Sequence, residues 1–474
     1  MTMRSNILNI ALIAALVAAG AGCGDGASTA RNPRTTDAVK AEIAEKWGKP
    51  LDELPTDTLV LISPHNESIK NEFGWAFEID YALSHGRRVN LEWRDVGSGS
   101  TGIVAYLRNV YGKTAAPGID ILWGGGQVEF KKLADEGLLT PMDLPAETRD
   151  TIPVRFGGIV MRDPNNLWFG STVSGFGFIY NRDLLQRSGL KPPRRWEDLA
   201  AAECFDLISL ADPTQSGSAA MAYQMIVQSE PTWQAGWAKL LAVLSNANRF
   251  VDSAGAAANA PALGEAPIAT CIDFYGAIRV AEAPEQLTYV SPKGQTIFTP
   301  DSIAVLKNPP HSALAKEFVR FVLSRQGQAL WAVEPGDPAG PARSALGRQP
   351  IRKDVYNIYA GRFSPWTVNP YDAEKQMTVD TRMLAVSFSL LRKLVRAAAV
   401  DNLTYLKAAR QKLNTTGSPP DPALLAKFNR LPDNIATPQA VTKTAALLRD
   451  KTQAERITTQ WQQFFRDKYR EIAR

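Results

Sequence analysis

Cysteine and histidine are scarce, three of each in 474 residues. The cysteines Cys23, Cys204 and Cys271 show no CxxC or mixed Cys/His spacing, which argues against a zinc site and predicts no metal centre. An oxidising compartment would permit Cys204 and Cys271 to pair, but two buried free thiols are the expectation. The histidines His65, His85 and His311 fall in no nucleophile motif, so no catalytic residue and no cofactor are predicted. Long apolar runs are lacking too. The run at residues 7–19 is shorter than the ~20 residues that span a bilayer, and no later run is long and apolar enough. Neither charge sign dominates. The 53 basic and 48 acidic residues leave +5 spread along the chain, with no basic block that would mark a nucleic-acid partner.

What is present reads as a soluble globular protein, 45% hydrophobic and 21% charged, long enough for two or three packed units. Arg4, the apolar run and the small residues Gly20-Ala21-Gly22 before Cys23 read as an export signal. The end of that segment resembles a bacterial lipobox, with Gly20 at a place where the motif usually has leucine. Acylation of Cys23 would hold the protein at a membrane, at ~0.8 kcal/mol per buried methylene, with the fold outside. The expected location is periplasmic or cell-surface.

Past a tether and short helix over 24–55, a strand–loop–helix unit recurs: 58–63 then 67–83, 89–96 then 103–110, 119–123 then 128–139, and 205–210 then 219–228. Such repetition predicts an α/β fold with largely parallel sheets in two lobes. Residues 167–181 (LWFGSTVSGFGFIYN) suit a strand crossing between lobes, and 288–298 a return crossing. The expected boundaries are lobe one over 56–172 and 291–345, lobe two over 173–290, and a helical C-terminal extension over 346–474 that packs on a lobe.

Open α/β sheets bind ligands at the carboxyl ends of their strands. Four loops of small and polar residues stand there: Ser63-Pro64-His65-Asn66, Gly97-Ser98-Gly99-Ser100-Thr101-Gly102, Gly124-Gly125-Gly126-Gln127 and Thr214-Gln215-Ser216-Gly217-Ser218. A helix N-terminus offers unpaired N–H groups and a partial positive charge, so such loops can hold an oxyanion without lysine or arginine. The second loop also fits GxGxxG. A dinucleotide fold would want an acidic residue at the end of the next strand, whereas Asp120 lies at the start of its strand.

Three segments carry a family resemblance over roughly residues 58–335: DPTQSGSAAMAYQMI at 212–226, GIDILWGGGQVEFKKLADEGLL at 118–139, and FTPDSIAVLKNPPHSALAKEFVRFVLSRQGQALWA at 298–332. The chain resembles the ferric-iron, phosphonate and sugar-phosphate branch of the bilobed ABC solute-binding proteins. The resemblance implies a type II periplasmic-binding-protein-like fold, a ligand trapped between two lobes, a membrane permease as partner, a monomer, and no enzymatic chemistry. The branch's iron binders use a histidine, a glutamate and two adjacent tyrosines. His65 matches the histidine and Tyr275 the second tyrosine, but Gly126 falls where the glutamate belongs and Phe274 replaces the first tyrosine. The implied ligand is therefore a small organic anion, an organophosphate or phosphonate. Its expected contacts are His65, Asn66, Ser100, Thr101, Gly125, Gly126, Gln127, Ser174, Ser216, Gly217, Ser218, Asp273 and Tyr275. The alternatives are a ferric-iron receptor, a ligand-sensing partner of a membrane signalling protein, and an exported enzyme.

Overall fold

A computed structural model describes residues 32–97, 99–372, 377–417 and 420–474. The export signal, Cys23 and Ser98 lie outside the described residues, as does the side chain of Thr101. Among the described residues, no helix is long and apolar enough to cross a membrane.

The chain runs through α1 (Asp37–Trp47), β1 (Thr56–Ile62), α2 (Glu67–His85), β2 (Arg88–Arg94), α3 (Ser100–Tyr111), β3 (Ile121–Gly126), α4 (Gln127–Asp135) and β4 (Leu139–Thr140). Residues of α2 show how local chemistry fixes the unit. Asn66 accepts from the Ile69 N–H at 3.1 Å to start the helix, and Gly86 ends it in the left-handed region at φ 64°. A side chain at Gly86 would also strike the Trp47 ring, so two constraints converge on glycine there. β1 pairs in parallel with both β2 and β3, the arrangement that helical crossovers produce.

The expected crossing strand over 167–181 is two strands, β5 (Phe169–Ser174) and β6 (Phe176–Asn181), which lie in different sheets. Gly175 between them is the hinge-like break, and the Phe298 ring packs where a Cβ would stand. Lobe two continues through β7 (Ile208–Ala211), α5 (Gly217–Gln228), α6 (Trp233–Ser245), β8 (Ala247–Val251), α7 (Ala254–Ala262), β9 (Ile268–Ile272), α8 (Asp273–Glu282) and β10 (Leu287–Val290). Its five-stranded sheet has the order β8-β7-β9-β6-β10. The chain then returns to lobe one with β11 (Thr299–Leu306), α9 (Ser312–Leu323) and β12 (Gln349–Pro350). That sheet is ordered β12-β5-β11-β3-β1-β2, with β4 on β11. Trp237, Leu240, Leu241 and Leu244 of α6 are fully buried, each contributing roughly 1.5–3 kcal/mol. Both Cys204 and Cys271 are buried free thiols, as expected.

The region beyond residue 345 divides between the lobes. β12 completes the lobe-one sheet, and Arg352 donates to the Leu323 and Glu147 carbonyls of that lobe. Residues 381–474 pack instead on lobe two as α10 (Thr381–Val395), α11 (Leu403–Asn414), α12 (Pro422–Asn429), α13 (Pro438–Leu447) and α14 (Lys451–Ala473). Gln224 of α5 bonds Ser387 of α10 at 3.0 Å, and the Trp233 indole donates to the Ile435 carbonyl at 2.8 Å. The chain thus passes between lobes a third time, which the sequence pattern did not signal. A π turn at Arg396–Val400 stands between α10 and α11.

Candidate functional site

The carboxyl ends of β1 and β3 deliver two of the expected loops to one place. His65 is 5% exposed, its ring edge-on to Trp123 at 4.7 Å, and its Nε2 lies 3.2 Å from Asp301 Oδ2 on the antiparallel strand β11. Gly124 and Gly125 adopt φ 102° and 114°, which few side-chain-bearing residues tolerate, and the Gly125 N–H donates to the other oxygen of Asp301. The Ser100 Cβ packs where a Cβ on Gly125 would stand, so the second and third loops also meet. Asp301 therefore occupies the position between His65 and the glycine loop.

Arg348 completes that arrangement by pairing with Asp301. Burial pushes the Asp301 carboxyl up, but the Arg348 guanidinium, His65 and the Gly125 N–H together hold it well below the usual carboxylate range. Burial lowers the His65 pKa, with Asp301 pulling the other way. With Nε2–H donating to Asp301, Nδ1 is an acceptor in the neutral ring, and it is buried without a partner among the described residues.

The same arginine reaches the second lobe. Its guanidinium carbon lies 4.0 Å from the centre of the Phe274 ring, at the start of α8. Asp273, the first residue of that helix, accepts from the Gly175 N–H and the Phe274 N–H, both at 2.8 Å, and so ties lobe two to the break between β5 and β6. Burial raises its pKa to about 7 against the pull of those N–H groups and of Arg348. The buried Ser174 hydroxyl lies beside it, with no hydrogen-bond partner among the described residues. Tyr275 packs on Phe274 and over Gly255.

The fourth loop lies at the carboxyl end of β7. Ser216 is buried and caps α5, accepting from the Ala219 N–H at 3.2 Å, while Gly217 has open space around it and Ser218 is half-buried. Asp212 braces the loop by accepting from the Thr214 N–H and hydroxyl. Asn66 is an exposed cap, and Gly126 and Gln127 begin α4, with the Glu129 carboxylate 3.8 Å from where a Gly126 side chain would start. Asp120, weighed as the acidic residue of a dinucleotide fold, is fully buried on the Val60 N–H and on His311.

The structure thus brings His65, Ser100 and Gly125 together in lobe one, and Ser174 and Asp273 together at the break between lobes. Sequence reasoning missed Asp301 and Arg348. Asp301 lay in view within the quoted FTPDSIAVL segment, whereas Arg348 sits in a loop dense in glycine and proline that carries no motif.

Residues 117–352 match the family model of bacterial extracellular solute-binding proteins. The chain belongs to that family. It is 24% identical over 325 residues to the phosphoglycerate transport regulatory protein PgtC of Salmonella typhimurium, a match covering 67% of this chain and 75% of that one. Its fold is similar to the periplasmic binding protein AfuA of Actinobacillus pleuropneumoniae, solved with fructose-6-phosphate bound (TM-score 0.54, 19% identity, 74% of this chain and 96% of that chain). It is likewise similar to iron-bound HitA of Pseudomonas aeruginosa (TM-score 0.52, 19% identity, 71% and 98%). The fold is that of the type II periplasmic binding proteins, with a helical C-terminal extension. This solute-binding protein is a receptor of an ABC importer, a class that takes small ligands and works with a membrane permease.

Proposed function

We propose that this solute-binding protein captures a small organic anion, an organophosphate or phosphonate, between its two lobes and presents it to the importer's permease. The observation that carries this reading is Arg348, a permanent cation 7% exposed that touches Asp301 in one lobe and Phe274 in the other. An incoming oxyanion can add to the guanidinium without breaking that pair, because the arginine has five N–H donors and its Nε has no partner among the described residues. Ferric ion faces the opposite situation. It would have to detach Asp301 from Arg348, His65 and the Gly125 N–H, and Phe274 offers it no phenolate. The fructose-6-phosphate seen in AfuA and the phosphoglycerate in the name of PgtC fit the same ligand class.

A thermal-shift and calorimetric series with 3-phosphoglycerate, fructose-6-phosphate, 2-aminoethylphosphonate and ferric citrate tests the proposal. A phosphorus oxyanion at ~100 times its dissociation constant stabilises the fold by ~2.7 kcal/mol. Stabilisation by ferric citrate alone, with a visible tyrosinate–iron absorption band, would overturn it. The word "regulatory" in the relative's name favours a second reading, in which the loaded receptor signals to a membrane sensor. Growth on the bound ligand without a functional permease gene, but with a ligand-responsive promoter, would select that reading. For the N-terminus we retain acylation at Cys23, which mass spectrometry of the mature protein tests directly.

A further inference from the structure

The helical extension ends up against the ligand loop of lobe two. Arg392, in the last turn of α10, donates from Nε to the Pro213 carbonyl at 2.7 Å and from Nη2 to the Thr214 carbonyl at 2.8 Å. Arg396, four residues on and therefore on the same face, donates from Nη1 to Asp212 Oδ2 at 2.6 Å and to the Thr214 hydroxyl at 3.0 Å. The other Asp212 oxygen holds the Thr214 N–H and hydroxyl, and the Asp212 carbonyl accepts from the Ser216 N–H at 2.9 Å. Two guanidinium groups thus fix the conformation of residues 212–216, which lead into the cap of α5.

Their position suits more than packing. Arg396 begins the π turn, an irregularity that is frequent at functional sites. The carbonyls of Pro213 and Thr214 would repel an anion held nearby, and cationic donors offset their negative ends. Arg392 also lies close enough to Glu129 of the facing lobe to feel its charge, although burial is the larger influence on it. Through these bonds the extension reaches the loop at the carboxyl end of β7.

We propose that the C-terminal extension is part of the ligand site, with Arg392 and Arg396 as positioning residues that fix the 212–216 loop and supply positive field to the neutral donors of Ser216 and Ser218. This rests on the reading of that loop as anion-binding. Lys407, which pairs with Asp206 elsewhere on lobe two, is the natural comparison, since it joins extension and lobe away from the loop.

The test uses the full chain and the variants Arg392→Gln, Arg396→Gln, Arg396→Lys and Lys407→Gln. In ligand-free protein, hydrogen exchange of the amides at 214–220 should quicken at least about tenfold in both Gln variants, and Arg396→Lys should recover part of the protection. Calorimetry with 3-phosphoglycerate should show binding about tenfold weaker in each Gln variant and unchanged in Lys407→Gln. Unchanged exchange at 214–220, exchange that rises equally over the whole chain, or equal loss of affinity in Lys407→Gln would overturn the proposal. If the wild-type protein binds no phosphorus oxyanion, the organophosphate reading fails, while the exchange measurement still decides the positioning role.

Discussion

Replacing Arg348 by glutamine tests the centre of the site without touching any residue named from the sequence. The change keeps much of the side-chain volume but leaves Asp301, a carboxylate 16% exposed, facing only His65 and the Gly125 N–H. Breaking one partner of a buried ion pair destabilises by about 3–5 kcal/mol. The pH dependence gives the effect a signature. In the wild type Asp301 is held below its ordinary value, so its contribution is present at neutral pH and is lost only as pH falls through that lowered value. Without Arg348 the carboxyl loses the largest influence that holds it down, so its value rises toward that set by burial, and the variant should lose stability relative to the wild type as pH rises from about 4 toward 7. The gap between wild type and Arg348→Gln should therefore be widest near pH 7 and narrow toward pH 4–5. Urea unfolding at a series of pH values measures it. Adding Asp301→Asn removes the stranded charge and should recover most of the loss at pH 7, yet leave anion affinity low because the arginine is still missing. An Arg348→Gln protein as stable as wild type at pH 7, or a double variant no better than the single one, would refute the reasoning.

Ser218→Ala should weaken binding of 3-phosphoglycerate by roughly one to two orders of magnitude in calorimetry with stability nearly unchanged, whereas Ser216→Ala should also cost about 1 kcal/mol because that hydroxyl caps α5. Asp273, with its pKa raised from 3.8 to about 7, favours folding fully below its unfolded value and loses that contribution as pH rises through 7. The difference corresponds to about 4 kcal/mol, so the pH dependence of unfolding between 4 and 8 should flatten in Asp273→Asn. Glu72→Ala should destabilise by about 3 kcal/mol or more in urea unfolding, since the buried carboxylate accepts the N–H groups of Ala342, Arg343 and Ser344, which would lose their partner.

Local chemistry was legible in the sequence where it acts within a few residues. The apolar run at 58–63 and the helical spacing over 67–83 and 219–228 announced a strand and two helices, because such periodicities need only neighbours in the chain. Arrangements that depend on distant partners were not legible. Gly175 could be read as a glycine within one strand, and only the pairing of β5 and β6 with different sheets shows a break. Asp301 became a site residue only when β11 was laid beside β3, since the partners it holds are 236 and 176 residues away in sequence. Arg348 carried no periodicity or motif, and its role depends on two lobes meeting around a loop. The division of the C-terminal region between lobes was hidden for the same reason, as helical periodicity specifies an apolar face but not the surface that covers it.

The placement of Arg348 also bears on how a ligand would favour lobe closure. A ligand shifts a conformational equilibrium only by its difference in affinity for the two states, so contacts made to one lobe alone do not close the cleft. Moving a balance from 1:99 to 99:1 takes ~5.5 kcal/mol of such difference. Hydrogen bonds to a charged group contribute ~1.5–3 kcal/mol each, so two to four formed only on closure are enough. The neutral donors at Ser216 and Ser218 belong to lobe two, and the guanidinium of Arg348 is paired to Asp301 of lobe one. An anion bridging these groups would gain its second set of contacts only when the lobes meet. The internal pair with Asp301 adds a further condition, because it keeps the buried cation compensated while the cleft is empty, so the arginine need not leave its place to await the ligand.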